Sequence, residues 1–172
     1  MRNIVFCIVF IFCLFFSYFS APENIYAQDR PTVQYFIDKA STIPTLYATL
    51  RTFPEEVGHH GYIQDGDKRF KHGDNEGIYV ENDLLVWLTI IDLEGRVANN
   101  FIREISQNFN SRYGAAKITN DRAKNMLVNQ WFNKNERTID PNLLGWIVVN
   151  FVGDKYISVQ CVFKNVYQGD QQ

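Results

Sequence analysis

The sequence predicts a single α+β domain, in which an antiparallel sheet packs against two to four helices, preceded by an N-terminal signal peptide. Three observations favour this class. Amphipathic helical patterns occupy residues 30–53 and 92–113. An apolar, β-branched run at residues 84–91 is typical of a buried strand. Two further apolar runs near the C-terminus flank a Gly-Asp pair and are typical of a β-hairpin.

The first 27 residues are the predicted signal peptide. Residues 4–19 carry no charge and are almost wholly apolar, and Arg2 precedes them, as in an export signal. Ala27 is a small residue suited to the last position before the cut. The mature chain is then residues 28–172, in which we expect residues 168–172 to fray. An uncleaved membrane anchor is the alternative, because the apolar run is only slightly shorter than a bilayer span.

Composition and cysteine positions exclude several classes of protein. The chain is 46% hydrophobic, which argues against disorder, and its net charge of −2 argues against a nucleic-acid binder. Cys7 and Cys13 lie in the signal peptide, so the mature chain keeps only Cys161 and forms no intramolecular disulfide. Because Cys161 alternates with apolar residues, we expect a buried structural thiol. The sequence shows no internal repeat.

The first predicted helix lies within residues 30–53. Pro44 interrupts the pattern, so we expect either a kink or two short helices with Pro44 near the start of the second, and Pro54 closes the unit. The apolar residues with helical spacing are Val33, Phe36, Ile37, Ala40, Ile43, Tyr47 and Leu50.

A polar, glycine-rich segment at residues 55–77 follows, and we call it the polar segment. Asp65-Gly66 within it suggests an exposed hairpin turn. Residues 78–80 and 84–91 are the next apolar runs, separated by Asn82-Asp83, and both are predicted strands of an antiparallel sheet over about residues 61–91.

The central helix is the clearest in the sequence. Asp92 is its predicted N-cap, and Gly114 after Tyr113 is its predicted left-handed C-terminal residue. A second helix is predicted to begin at Thr119 or Asn120, because apolar and polar residues alternate in pairs up to residue 134; a strand over residues 126–132 is the alternative. The apolar residues of the central helix are Leu93, Val97, Phe101, Ile105 and Phe109.

The C-terminal hairpin joins residues 146–152 to residues 155–163 through Gly153-Asp154. This loop predicts the register, in which the pairs are Val152 with Lys155, Val148 with Val159, and Trp146 with Cys161. The residues predicted to face the helices are Leu144, Trp146, Val148, Val152, Ile157, Val159, Cys161 and Phe163.

The opposite face of this hairpin is the predicted ligand or partner surface. It is too apolar to be left in water, so we expect the N-terminal helix, a partner or a ligand to cover it. An open cleft there would favour ligand or partner binding, whereas a filled face would leave only the loops. The residues of this surface are Ile147, Val149, Phe151, Tyr156, Ser158 and Gln160, with Val162 beside them.

Three histidines, His59, His60 and His72, lie in the polar segment among several carboxylates. Imidazole and carboxylate groups are ligands for zinc and other divalent metals, so these histidines are the candidate metal site. Their spacing matches no established ligand motif, and adjacent histidines on a strand would point to opposite faces. A solvated loop with incidental histidines is therefore the favoured interpretation.

The sequence predicts an exported, periplasmic or extracellular, non-enzymatic binding or protein-interaction module. Its contact surface is expected on the second sheet face or on the polar segment. A nucleophilic serine elbow, a phosphate-binding loop and a dinucleotide fingerprint are absent from the sequence. We predict no cofactor and no nucleic acid; the partner is a protein or a small molecule, and a membrane only if the signal peptide is retained. The alternatives are a small exported hydrolase or metal-dependent enzyme using the three histidines, and a membrane-tethered envelope protein.

Overall fold

The computed structural model describes residues 31–93, 95–133, 141–151 and 156–164. For residues 95 and 96 it describes the backbone but not the side chains. The predicted signal peptide, the turn at Gly153-Asp154 with its Val152–Lys155 pair, and the tail at residues 168–172 lie outside these residues. Within the described ranges, no helix combines the length and the apolar character needed to cross a membrane.

The described residues form one antiparallel sheet and three helices, which confirms an α+β fold. The helices are α1 (Val33–Thr52), α2 (Pro54–His59) and α3 (Gly95–Tyr113). The strands are β1 (Ile63–Gln64), β2 (Arg69–His72), β3 (Glu76–Glu81), β4 (Leu84–Asp92), β5 (Lys117–Asp121), β6 (Met126–Phe132), β7 (Leu143–Phe151) and β8 (Tyr156–Lys164).

The sheet joins two halves of the same order, each a helical segment followed by four strands. The strand order is β1-β2-β3-β4-β8-β7-β6-β5, and every neighbouring pair is antiparallel. Strands β4 and β8 pair along their full length, with Leu88 opposite Gln160 at the centre of both. The architecture therefore repeats although the sequence does not.

Helix α1 is continuous through Pro44, so the expectation of two short helices is wrong. Its N-cap is Thr32, whose hydroxyl oxygen accepts a hydrogen bond from the Tyr35 backbone N–H at 3.2 Å. Pro44 and the neighbouring Ile43 are buried, and their packing compensates for the backbone hydrogen bond that proline removes. As predicted, α1 ends before Pro54, which begins α2, where its fixed φ and missing N–H suit the first turn.

The helix predicted after residue 119 is wrong, and the alternative, a strand over residues 126–132, is confirmed as β6. Val128 lies opposite Val149 and Trp131 lies opposite Trp146 in the register with β7. Both faces of β6 are buried, so the apolar and polar residues do not alternate with a period of two. The sheet, not the local pattern, determines this segment.

Helix α3 ends as predicted at Tyr113, and Gly114 has a φ of +85°. Three of its apolar residues, Phe101, Ile105 and Phe109, are fully buried, whereas Val97 is 47% exposed. Asp92 is not its N-cap, because Asp92 is the last residue of β4, where it lies opposite Tyr156.

The C-terminal hairpin has the predicted register, with Val148 opposite Val159 and Trp146 opposite Cys161. A bulge between Leu143 and Gly145 changes which leucine faces the helices. Leu143 lies opposite Phe163 and is buried, so the prediction that Leu144 occupies this face is wrong.

The main core lies between the helices and one face of the sheet, which we call the helix face. Phe36 of α1 lies 6.2 Å from Trp87 and 5.9 Å from Phe101, and Phe109 of α3 lies 4.8 Å from Trp146, measured between ring centroids. Cys161 is buried in the same core, as predicted, and burial raises the pKa of its thiol. Each such fully buried aromatic side chain contributes about 2 kcal/mol through removal of apolar area from water.

Candidate functional site

The predicted surface on the C-terminal hairpin is brought together on the face opposite the helices, which we call the second face. Ile147 lies opposite Gln160, and Val149 lies opposite Ser158. By strand alternation Phe151 and Tyr156 lie on the same face. The six predicted residues therefore share one side of β7 and β8.

The centre of this second face is buried. Ile147, Val149, Ser158 and Gln160 expose 5% or less of their surface, and Phe151 and Tyr156 are half-buried. All three helices contribute to the core on the other face. The centre of this face is therefore shielded from solvent, whereas the polar segment presents exposed side chains such as Ile63.

Two polar atoms on the second face are buried without a hydrogen-bond partner among the described residues. They are Gln130 Oε1 on β6 and Ser158 Oγ on β8. Leaving such an atom unpaired costs about 1–3 kcal/mol. Gln130 was not predicted on this face, because the pattern of residues 120–134 favoured a helix over the alternative strand.

The polar segment is an ordered part of the fold and not a long loop. It contains α2, β1, β2 and the start of β3, and the expected turn at Asp65-Gly66 joins β1 to β2. Lys71 Nζ lies 2.7 Å from Asp65 Oδ2 across this hairpin. Arg51 of α1 donates a hydrogen bond to the Asp67 carbonyl oxygen at 2.9 Å, which connects the turn to the helix.

Glu76, at the start of β3, is the centre of the candidate site. Its carboxylate is buried, and Oε1 accepts hydrogen bonds from the Tyr62 hydroxyl at 2.6 Å and from the Trp87 indole N–H at 3.0 Å. Lys39 Nζ of α1 lies 3.2 Å from the same oxygen. One carboxylate thus joins α1, the chain before β1, and strands β3 and β4.

His72 lies beside the second oxygen of this carboxylate. Its Nδ1 is 3.8 Å from Glu76 Oε2, and half of the side chain is exposed. The imidazole also packs on Tyr62, with ring centroids 5.3 Å apart. Gly61 allows this packing: its φ is +72°, and an added Cβ would lie 3.1 Å from two atoms of the His72 ring.

The other two histidines contact a different carboxylate from the one beside His72. His59 Nδ1 and His60 Nε2 are each 3.7 Å from a carboxylate oxygen of Glu56, on α2. In the part of the chain that the structure describes, no group of three or more His, Cys, Asp or Glu side chains is arranged to hold a metal ion. The structure does not bring the three histidines into one ligand set.

The electrostatics of the Glu76 cluster favour neutral tyrosines. Burial raises the pKa of Tyr62 well above its usual 10.0, and the hydrogen bond to the Glu76 carboxylate adds to the shift. Burial also raises the pKa of Tyr35, and the charge of Glu76 contributes. Tyr62 therefore keeps its proton at neutral pH and donates a hydrogen bond to the Glu76 carboxylate.

The exposed side chains of the polar segment, which we call its outer side, are of several kinds. Ile63 is 71% exposed and Phe53, just before the segment, is 49% exposed. The side chains of His59 and Asp67 are 75% and 87% exposed. A mixture of apolar, imidazole and carboxylate groups on an ordered scaffold is suited to recognition of another molecule.

Sequence analysis missed the central role of Glu76 and the contribution of Lys39 and Tyr62. Glu76 stands among polar residues and resembles a solvated loop residue in the sequence. One signal was available: alternation from Phe70 through His72, across the turn, to Glu76 and Ile78 places these residues on one face. Comparison with protein families, with curated proteins and with solved structures finds no match to this chain.

Proposed function

We propose that this protein is an exported binding or protein-interaction module, and that its contact surface is the outer side of the polar segment. The observation that carries the proposal is the buried Glu76 carboxylate with its three donors, Tyr62, Trp87 and Lys39. These contacts fix the backbone of the segment, so its exposed side chains are presented in one arrangement.

Preorganisation is the physical reason for preferring the polar segment. A flexible loop loses conformational entropy when it binds, at about 1–2 kcal/mol for each residue that becomes ordered. Residues 63–72 already form a hairpin, so a partner would not have to order them. A protein partner fits the chemistry best, because an exposed apolar residue surrounded by polar and charged groups resembles the centre and rim of an interface.

Site-specific photocrosslinking in the producing cells tests this proposal. A photoreactive side chain at Ile63 is expected to give a discrete crosslinked protein adduct. The matched control is the same side chain at Val97, which is 47% exposed on α3, outside the proposed surface. No adduct from position 63, or the same adduct from both positions, would contradict the proposed surface.

The second candidate is that the protein is a small exported hydrolase or metal-dependent enzyme. It is favoured by the half-exposed His72 imidazole beside the fixed Glu76 carboxylate, an arrangement that suits proton transfer or metal ligation. Metal analysis of the purified protein, compared with a variant carrying His59→Ala, His60→Ala and His72→Ala, tests it. Stoichiometric zinc that the variant loses would favour the enzyme over the binding module.

Export and removal of residues 1–27 belong to the same proposal. Their support is the charge-free apolar run at residues 4–19. The mass of the purified protein tests cleavage, and an intact Met1 would instead favour a membrane-tethered envelope protein.

A further inference from the structure

Strand β5 (Lys117–Asp121) is the outermost strand at one edge of the sheet. Among the described strands it pairs only with β6. Four of its five residues are exposed, and Ile118 is 64% exposed. The outer row of backbone N–H and C=O groups of such a strand is a template for pairing with another strand.

The two edges of the sheet differ in how well they are protected. Strand β1, at the other edge, has only two residues, and shortness is a common way to prevent edge pairing. Strand β5 has five residues and no proline, and the three central ones, Ile118, Thr119 and Asn120, are uncharged. Its charges stand at the two ends, Lys117 first and Asp121 last.

This order of charges is self-complementary. In an antiparallel pair of two β5 strands centred on Thr119, Lys117 of each copy faces Asp121 of the other. Ile118 then faces Asn120, and Thr119 faces Thr119. We infer that β5 pairs with β5 of a second copy of this chain in this register, which forms a two-fold symmetric dimer with one continuous sheet.

The geometry of the sheet is compatible with this register. In an antiparallel ladder, residues with outward hydrogen-bonding groups alternate along the strand. In the register centred on Thr119, odd-numbered residues face odd-numbered ones and even-numbered residues face even-numbered ones. The backbone N–H and C=O groups that point away from β6 in one copy therefore face the same groups in the other copy. The symmetry axis is perpendicular to the sheet, which keeps the helices of both copies on one side. Strands β4 and β8 join the two halves of one chain in the same antiparallel way.

The turn after β5 orients the carboxylate that the pairing uses. Asp121 Oδ1 accepts hydrogen bonds from the backbone N–H groups of Ala123 and Lys124, at 3.1 and 3.2 Å. Lys124 Nζ lies 3.9 Å from Oδ2. The side chain of Asp121 is therefore ordered before a second copy arrives, which reduces the entropy lost on pairing.

Sedimentation velocity over a range of protein concentrations tests this inference. The full-length chain is expressed, and the purified product is expected to show a concentration-dependent dimer. The dimer contains two pairs of residue 117 with residue 121. Either single substitution, Lys117→Asp or Asp121→Lys, gives both pairs like charges, so each is expected to raise the dissociation constant of the dimer about tenfold. The double variant restores opposite charges at both positions and is expected to restore the dimer. Thermal unfolding checks that every variant is folded.

A matched pair of edge substitutions controls for non-specific association. Ile118→Lys lies on β5 and is expected to weaken the dimer, whereas Ile63→Lys lies on β1 with similar exposure and is expected to have no effect. A monomer at every concentration would overturn the inference. So would a dimer that is insensitive to Lys117→Asp, or a double variant that is as weak as the single ones.

Discussion

Each half of the sheet contains a buried tryptophan whose indole N–H donates a hydrogen bond, but the acceptors differ in chemistry. In the first half, the Trp87 indole N–H donates to the charged carboxylate of Glu76 at 3.0 Å. In the second half, the Trp131 indole N–H donates to the neutral side-chain amide oxygen of Asn110, on α3, at 2.8 Å. Both arrangements satisfy a buried donor, but only the first gathers further polar side chains.

The polar contacts of Trp131 in the second half only support the fold, whereas those of Trp87 in the first half belong to the candidate site. Asn110 accepts one other hydrogen bond, from the Ala116 backbone N–H at 3.2 Å, and this contact stays within the fold. Glu76 instead lies next to the half-exposed His72 and to Lys39 of α1. A buried carboxylate is costly to keep charged, so it needs these partners, and they connect it to the polar segment.

Glycines in the third strand of each half give the largest predicted effect. A Cβ at Gly145 would overlap the backbone carbonyl oxygen of Trp131, whereas a Cβ at Gly77 would lie 3.6 Å from the Phe70 carbonyl oxygen, an ordinary contact. Gly145→Ala is therefore expected to lower the free energy of unfolding by about 3 kcal/mol or more, and Gly77→Ala to change it by less than about 1 kcal/mol. Urea unfolding measures both, and equal effects would show that the bulge at Gly145 is not tightly packed.

The two tryptophan partners give the next largest effect. Glu76→Ala leaves the indole of Trp87 and the hydroxyl of Tyr62 without their acceptor and removes the pair with Lys39, so we expect a loss of about 3 kcal/mol. Asn110→Ala leaves the indole of Trp131 unpaired, and we expect a loss of about 1–2 kcal/mol. Urea unfolding at neutral pH compares them.

Salt distinguishes the two variants further. Added salt is expected to reduce the difference between the wild-type protein and Glu76→Ala slightly, because the charge on Lys39 is partly screened. It is expected to leave the effect of Asn110→Ala unchanged. A larger loss for Asn110→Ala than for Glu76→Ala would reverse the comparison between the two halves.

The Tyr62 hydroxyl in the first half gives a smaller effect at alkaline pH. Burial and Glu76 raise the pKa of Tyr62 above 10.0 in the folded protein, whereas the unfolded chain has the ordinary value. The resulting stabilisation is complete below pH 10 and is lost as the pH rises from there through the folded pKa. Tyr62→Phe is expected to reduce the fall in unfolding free energy above pH 10 by about 1.4 kcal/mol per pH unit. Urea unfolding at pH 8, 10 and 11 tests this, and an unchanged slope would contradict it.

The sequence predicted those elements whose pattern agrees with their environment. Helix α3 has one apolar face against the sheet, and β8 pairs with β7 in the register predicted from the sequence, so local pattern and tertiary contacts coincide. Strand β6 is buried on both faces and includes the buried polar residues Asn129 and Gln130, so its pattern resembles a helix. The bulge at Gly145 and the continuity of α1 through Pro44 depend on tertiary packing, which no local pattern contains.

The candidate site was predicted only in outline. The polar segment was one of two expected contact surfaces, and His72 was named within it only as a candidate metal ligand. The partners of Glu76 lie far away in the chain, Lys39 on α1 and Trp87 on β4, so no short motif connects them. Spatial proximity created by the antiparallel hairpins brings them together.

Hydrogen–deuterium exchange of Glu76→Gln tests most directly whether Glu76 fixes the polar segment. Glutamine preserves the shape and most acceptor capacity but removes the charge that pairs with Lys39, so the fold is retained. We expect faster exchange of the amides in β2 and β3, and unchanged exchange in β6 and β7. Equal protection of the β2–β3 hairpin in both proteins would contradict the claim that this carboxylate holds the contact surface in place.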